Sequence, residues 1–416
     1  MVLEVNCQNI ISGRPPVLLL AGHGLLRTLG MAGIPAIVAS SYKNDPAFFS
    51  RYCSGTCILP SRHEPSAMIA AVLDAGERLL ALLGRRVPLM YADDDFLELV
   101  CGHPDRLREK YLLVLNDPEV AAGLLKKDRF EALARKLDLP VPRSLPWEAL
   151  CKFKRTVLVK PRSKFSWHDS PLRAQLFRGH AKAVIFENGR AAAAQPDVER
   201  FCDMLTFQEY VPGDDRQLWS FHGFSDEQGT VIASFVGRKL RTSPPLMGES
   251  SFIEMVHDED LANYGRRIAE QVPLKGPFKM DFKADAQSGK HFLLEVNARF
   301  NLWECLGAAN GVNLMQIAYD YLVEGKRPVP QPYRTDTLWI SVPLDFRAYR
   351  ELAARGELSF FGWLSSVVFT RTVHNHLAWN DPAPFVMACV SWLVRKSRQL
   401  LERIKKRLRE WLSTAS

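Results

Sequence analysis

Three short apolar runs alternate with helix-patterned segments over residues 17–91, and this rhythm constrains the fold more than any other feature. Residues 17–21 read as a buried strand ending at Gly22-His23-Gly24, and residues 25–33 as a helix. A second strand spans 36–40, a long helix 66–83, and a third strand 87–91 runs into Asp93-Asp94-Asp95. Helices between successive strands act as crossovers and leave the strands parallel, so the segment predicts a parallel α/β sheet. The glycines after the first strand do not complete a dinucleotide loop. Arg27 stands at the third position of G-x-G-x-x-G, which argues against a nicotinamide cofactor.

The chain changes character after this segment. Residues 105–139 are helical in pattern and stop at Leu139-Pro140-Val141-Pro142, and residues 156–160 form a β-branched strand running into Pro161. Two hairpins follow. Strands 217–224 and 230–236 flank one turn, strands 278–284 and 291–296 flank another, and a helix over 258–271 separates them. A length of 416 residues suggests two or three domains at about 150 residues each. We therefore expect an α/β domain over 1–104, an α+β domain over 105–330 and an extension over 331–416.

The second hairpin carries the most chemistry. Alternation along a strand puts Lys279, Asp281 and Lys283 on one face, and Leu293, Glu295 and Asn297 on one face of the partner strand. Two carboxylates and an amide oxygen beside open positions suit Mg²⁺, which takes oxygen ligands and shares its shell with water and phosphate. A solvated face laced with salt bridges is the competing reading of the hairpin alone. Elsewhere Lys160 closes an apolar strand and a polar, basic loop follows at Arg162-Ser163-Lys164-Phe165-Ser166-Trp167. Phe207-Gln208-Glu209-Tyr210-Val211-Pro212-Gly213-Asp214-Asp215 reads as a strand breaking into a turn, and Gly237-Arg238-Lys239-Leu240-Arg241 adds cations suited to a triphosphate.

In this order the motifs resemble the ATP-grasp superfamily, specifically its carboxylate–amine ligase branch. The similarity runs over residues 15–330: a lysine-bearing helix, V-x-V-K-P, E-Y-x-x-G, G-R-K-x-R, an Asp strand and L-L-E-V-N-A-R. It implies a two-lobed ATP-grasp domain over 105–330, the first lobe (105–206) carrying the ATP lysines and the second (207–330) the metal site, behind a pre-ATP-grasp α/β domain. It implies ATP and Mg²⁺ as cofactors, with Mn²⁺ as the substitute ion. Position by position, it assigns Lys127 (or Lys126) and Lys160 to the phosphates, and Gln208, Glu209 and Val211 to adenine, mostly by main chain. Asp215 matches the ribose acid, Arg238 lies among the triphosphate cations, and Asp281, Glu295 and Asn297 match the metal ligands. Lys279 matches a cation beside the reacting phosphoryl group and Arg299 the arginine facing an acyl phosphate. Two departures stand out. The loop after Lys160 carries Phe165, Trp167 and His168 in place of glycines, and the Asp281–Glu295 connection is longer than in D-alanine–D-alanine ligases, which a longer turn at Gln287-Ser288-Gly289 can absorb.

The resemblance implies amide formation from a small-molecule carboxylate and an amine through an acyl phosphate. Another ATP-grasp outcome, carboxylation or small-molecule phosphorylation, or a non-catalytic nucleotide-binding scaffold, are the alternatives. Remaining candidates carry less. His23 and Arg27 could face a second substrate or serve a local structural role, Asp93–Asp95 read best as a solvated loop capping a helix, and His374 and His376 have no nearby partners in sequence.

Lys+Arg 54 against Asp+Glu 46 gives a net +8, which taken alone suggests nucleic acid or a membrane surface. Residues 395–416 hold eight of the basic and two of the acidic residues, a net of +6, so the remaining body is nearly balanced at +2. That leaves no support for a nucleic-acid-binding face. Apolar residues recur at three- and four-residue steps across 390–412, so the segment reads as a basic amphipathic helix, packed on the body or touching a membrane or partner. The eight cysteines show no disulfide or zinc rhythm, and the apolar stretches 358–370 and 383–394 are shorter than the roughly 18–20 residues that span a bilayer. A cytoplasmic protein, peripheral to the membrane at most, is the expectation, and a homodimer is left open.

Overall fold

The apolar runs at the start of the chain pair side by side. The structure, a computed structural model, describes residues 2–5, 13–162, 175–177, 183–246, 248–329, 331–375 and 377–414, except the side chains of 2, 127, 128, 398–400 and 403–414. β1 (Val2–Val5), β2 (Val17–Leu20), β3 (Ala36–Ser40), β4 (Cys53–Ile58), β5 (Val87–Tyr91) and β6 (Tyr111–Leu112) form one sheet in the order β1-β4-β3-β2-β5-β6. All its pairings are parallel except β1 with β4. β2, β3 and β5 are buried at every position, as strands covered on both faces must be. β4 went unseen in the sequence because Cys53-Ser54-Gly55-Thr56-Cys57-Ile58 offers no apolar run. Residues 105–139 are largely helical, in three pieces: Pro104–Lys110, Pro118–Leu125 and Lys127–Lys136.

A second, antiparallel sheet has the order β7-β10-β8-β9, from β7 (Ser144–Leu145), β8 (Val157–Pro161), β9 (Val184–Phe186) and β10 (Leu205–Glu209). Leu145, Val157, Val159 and Phe207 bury one face in its own small core. Alternation turns Lys160 to the opposite face.

The third sheet has seven strands: β11 (Leu218–Ser225), β12 (Val231–Ser243), β13 (Glu249–Val256), β14 (Gly276–Ala284), β15 (His291–Asn297), β16 (Thr337–Ile340) and β17 (Arg371–His374), in the order β15-β14-β11-β12-β13-β16-β17. One face lies under helix Glu259–Gln271, which Asp258 caps by accepting from the Leu261 N–H at 2.9 Å. Gly265 of that helix sits on Phe221, so close that a Cβ there would fall 2.4 Å from the ring. Phe221, Val236, Met280, Phe282, Leu293 and Val296 belong to this apolar side. On the other side Phe235, Ile253 and Met255 share a core with Leu25, Leu29 and Val38 of the first sheet and with Leu306, Met315 and Tyr319. That common core fixes the first sheet against the third.

The extension beyond residue 331 is helical, and its two strands also complete the third sheet. It is tied to the segments around the first sheet by hydrogen bonds. Arg27 Nη1 donates to the His374 carbonyl at 2.9 Å and His23 Nε2 lies 2.9 Å from the Asn375 carbonyl. Ser50 Oγ and the Arg51 N–H donate to the Asp381 carboxylate at 2.6 and 3.0 Å. His23 and Arg27 therefore serve as anchors for this segment; His376 lies outside the described residues.

Candidate active site

Strand register decides which side chains meet. Asp281 on β14 stands opposite Glu295 on β15 and opposite Ser220 on β11, while Lys279 stands opposite Asn297 and His222. The register slips between Asp281 and Phe282, so that Phe282 faces Leu293 and Leu294 is the extra residue. This bulge adds one residue to the Glu295 side of the hairpin. It also overturns one expectation: Leu293 turns into the apolar core, while Glu295 and Asn297 stay on the face of Asp281.

Asp281 is the electrostatic centre of that face. It is buried, accepts from Ser220 Oγ at 2.5 Å, and lies 2.8 Å from Lys279 Nζ and 4.0 Å from Lys239 Nζ. Burial alone would raise its pKa; the charges of Lys279 and then Lys239 outweigh burial and hold the carboxyl well below the usual range. Burial in turn pulls Lys279 below an ordinary lysine, and Asp281 opposes that shift. Lys279 Nζ also sits 4.9 Å from the centre of the Trp303 ring. Beyond it His222 lies stacked on Phe235, with Trp303 on its other flank. Asn301 Nδ2 bridges His222 Nδ1 at 3.2 Å and Glu304 Oε1 at 2.9 Å. Desolvation keeps His222 neutral and raises the Glu304 carboxyl to about 8. Ser220, His222, Asn301 and Glu304 were not singled out in the sequence. Alternation in Leu218-Trp219-Ser220-Phe221-His222 was the available signal for the first two.

The second sheet supplies the opposing wall. Lys160 Nζ donates to Gln208 Oε1 at 3.0 Å, and Gln208 Nε2 donates to the Pro142 carbonyl at 3.3 Å. Burial lowers the Lys160 pKa while Glu295 and then Glu131 favour its charge, which places this lysine within the field of the carboxylate on the third sheet. The Glu209 N–H is spent on the Arg143 carbonyl and the Tyr210 N–H on the Thr156 carbonyl. The Glu209 side chain pairs with Arg155. Val211, which follows, is buried where the strand breaks away. Lys283 closes the same end. Its Nζ lies 3.3 Å from the Tyr210 hydroxyl, and burial lowers its pKa to about 8.

Arg299 is held from helix Asp94–Cys101, which follows the first sheet's β5. Its Nε donates to Asp94 Oδ1 at 2.5 Å and its Nη2 to Asn297 Oδ1 at 3.3 Å. Asp93 caps helix Asp94–Cys101, as expected, by accepting from the Phe96 N–H at 2.9 Å. Asp94 departs from the solvated-loop reading, since a partner 205 residues away engages it.

Two assigned roles do not match the positions found. Arg238 faces the helix side of the sheet, where its Nε donates to Glu254 Oε1 at 2.8 Å and its guanidinium lies 5.2 Å from the Trp219 ring centre. Alternation sends its neighbour Lys239 to the Asp281 face instead. Asp215 is buried and spends its carboxylate on the Thr242 N–H, the Thr242 hydroxyl and the Leu246 N–H, at 2.8, 2.8 and 2.9 Å. It pins the 242–246 loop, so a ribose role has no support from its hydrogen bonding. Lys126 is exposed. Lys127 opens helix Lys127–Lys136 with its side chain outside the described residues, as are Phe165, Trp167 and His168.

No model of a known protein family matches the chain. A D-aspartate ligase of Enterococcus faecium (strain Aus0004) is 23% identical over 333 residues, 74% of this chain and 77% of the relative. Among solved structures, an L-amino acid ligase from Bacillus licheniformis superposes with a TM-score of 0.52 at 14% identity, covering 75% of this chain and 74% of its own. A biotin carboxylase–β,γ-ATP complex from Campylobacter jejuni gives 0.51 at 13%, covering 78% and 74%. The chain has the ATP-grasp fold. Two sheets contribute the candidate site: Lys160 from the second, and Lys239, Lys279, Asp281, Glu295 and Asn297 from the third, with Lys160 in the field of Glu295.

Proposed function

We propose that the chain is an ATP-dependent carboxylate–amine ligase that forms an amide through an acyl phosphate. The observation that carries this reading is the convergence of Asp281, Glu295 and Asn297 on one sheet face with Lys279 and Lys239, opposite Lys160. The likeness to a D-aspartate ligase supports it and makes an amino-acid carboxylate the matching substrate class. ATP binds with adenine at the Gln208–Val211 hinge and its phosphates between Lys160 and the third sheet. The substrate carboxylate attacks the γ-phosphorus in line, ADP leaves, and the amine then attacks the acyl carbon, expelling phosphate and losing a proton. The fixed charges of Lys160, Lys239 and Lys279 lie where negative charge grows, and they need no reorganisation as it does so. Asp94 holds the guanidinium of Arg299 in place beside Asn297, aimed at the acyl phosphate.

The donor set fits Mg²⁺ or Mn²⁺: two carboxylates and an amide oxygen on one face, with Glu295 exposed to the cleft and Asp281 drawn into its lysine pairs. Glu295, Asn297 and Asp281 would hold the ion, which when bound neutralises phosphate charge. We place the protein in the cytoplasm, with the free thiols Cys53, Cys57, Cys101, Cys151, Cys202, Cys305 and Cys389 in support.

The test is phosphate release from ATP across pairs of amino acids, with mass analysis of the product. Release that requires both acid and amine, with an amide product, is the expected result. Glu295→Gln abolishes ATP turnover while the circular dichroism spectrum stays unchanged; near-normal turnover sinks the metal assignment. Release with bicarbonate in place of a carboxylic acid identifies a carboxylating enzyme, and a phosphorylated product identifies a kinase.

A further inference from the structure

Helix Ala383–Thr414 is 32 residues long and is anchored at its root. Asp381, just before it, is locked to Ser50 and Arg51, and the helix start packs near the short turn Pro46–Phe49. Beyond that root, several of the described apolar side chains do not find cover. Val386, Val390, Leu393, Val394 and Leu401 are 44–55% exposed. At 100° per residue these five fall within one stripe about 100° wide, while Arg395, Lys396 and Glu402 lie outside it. This outcome departs from the packed-helix reading of the sequence. Large aromatic side chains stand exposed nearby in sequence: Trp379, Trp392 and Phe369 are 87, 53 and 85% accessible.

Charge selects the occupant of that stripe. Residues 395–416 carry a net +6. Two such helices pairing with one another would bring +6 against +6, a net in which Glu402 and Glu410 are already counted. An anionic bilayer satisfies both features at once: the stripe enters the acyl boundary, and the Lys/Arg side chains meet lipid phosphates. No helix among the described residues is long and apolar enough to cross a membrane, so the helix would lie along the surface.

We propose that helix Ala383–Thr414 docks the protein on an anionic lipid bilayer through the Val386–Val390–Leu393–Val394–Leu401 stripe. The docking is independent of the reaction proposed above and stands or falls separately from it. The experiment is co-sedimentation of the full chain with vesicles of phosphatidylcholine alone or with 40% phosphatidylglycerol, at low and 0.5 M salt. The expected result is pelleting with the anionic vesicles at least about tenfold above the neutral ones, reduced by salt. Leu393→Asp/Leu401→Asp abolishes pelleting, and Arg395→Glu/Lys396→Glu weakens it severalfold. Unchanged thermal unfolding of both variants shows that the fold is intact. Equal pelleting with both vesicle types, or full pelleting of the Leu393→Asp/Leu401→Asp variant, overturns the proposal. So does a concentration-dependent dimer that this variant dissolves, which would make the occupant a second copy.

Discussion

Along β11 and β14, the two faces of the seven-stranded sheet share one backbone and have opposite characters. Under helix Glu259–Gln271, Phe221, Met280, Phe282 and Leu293 make a dry core whose stability comes from area removed from water. On the other face, one residue along each strand, Ser220, His222, Lys279 and Asp281 make a polar network at almost the same depth. Burying such charges costs free energy unless each finds a partner, and here Asp281 answers Lys279, Lys239 and Ser220 together. The contrast teaches that a pleat can separate stability from chemistry. The apolar face holds the strands in register, and the register delivers the charges to the cleft.

That separation can be broken or sharpened from both sides. The largest effect is expected at Phe221→Ala, which opens a cavity beneath Gly265 and Phe278 and costs about 3–5 kcal/mol of stability. Chemical denaturation measures the loss, while ATP turnover of the folded fraction at low temperature stays near normal. Lost turnover with unchanged stability would mean that the faces are not separable. Next come two neighbours on β12. Lys239→Ala should lower kcat/KM for ATP by about 10²-fold, and Arg238→Ala should change it by no more than about threefold. The reverse order would restore Arg238 to the triphosphate and place Lys239 on the wrong side.

The smallest effect is a pH slope. Burial raises the folded-state pKa of Glu304 from 4.5 to about 8, so the folded protein binds more protons than the unfolded chain between those values. The contribution of this group is complete below the unfolded pKa and is lost as pH rises through about 8. Glu304→Gln removes the linkage. Its melting temperature relative to the parent protein should therefore climb as pH goes from about 5 to 8. A constant difference across that range would show that Glu304 titrates like an ordinary carboxyl group.

Fold class was legible because period and length are local properties. Residues 17–21, 36–40 and 87–91 announced parallel strands, and the hairpin at 278–296 announced paired carboxylates before any contact was known. Residues 207–215 read as a strand breaking into a turn, while the adenine role of Gln208, Glu209 and Val211 came only from the family resemblance. The misreadings share a cause. Arg238 and Lys239 are adjacent and equally basic, and only the pairing of β12 with β11 and β13 says which one faces the cleft. Asp215 is an acid beside the hinge, yet its partners Thr242 and Leu246 come from a loop 27 and 31 residues away. The bulge at Leu294 cannot be placed by counting residues between Asp281 and Glu295, since turn and strand absorb an extra residue equally well in sequence.

What the amino-acid sequence determined by itself was therefore the set of groups: two carboxylates and an amide on a hairpin, a lysine at a strand end, a parallel sheet before them and a cationic amphipathic segment after. Alternation and helical period act over a few residues and survive without tertiary contacts. What only the tertiary structure decided was their company. Arg299 is steadied by Asp94, 205 residues away in sequence, Lys160 on the second sheet meets the field of Glu295 on the third, and the apolar stripe of helix Ala383–Thr414 stands in solvent. Each of these depends on distance through space, and a strand register or a domain contact is a global solution that no short stretch of sequence encodes.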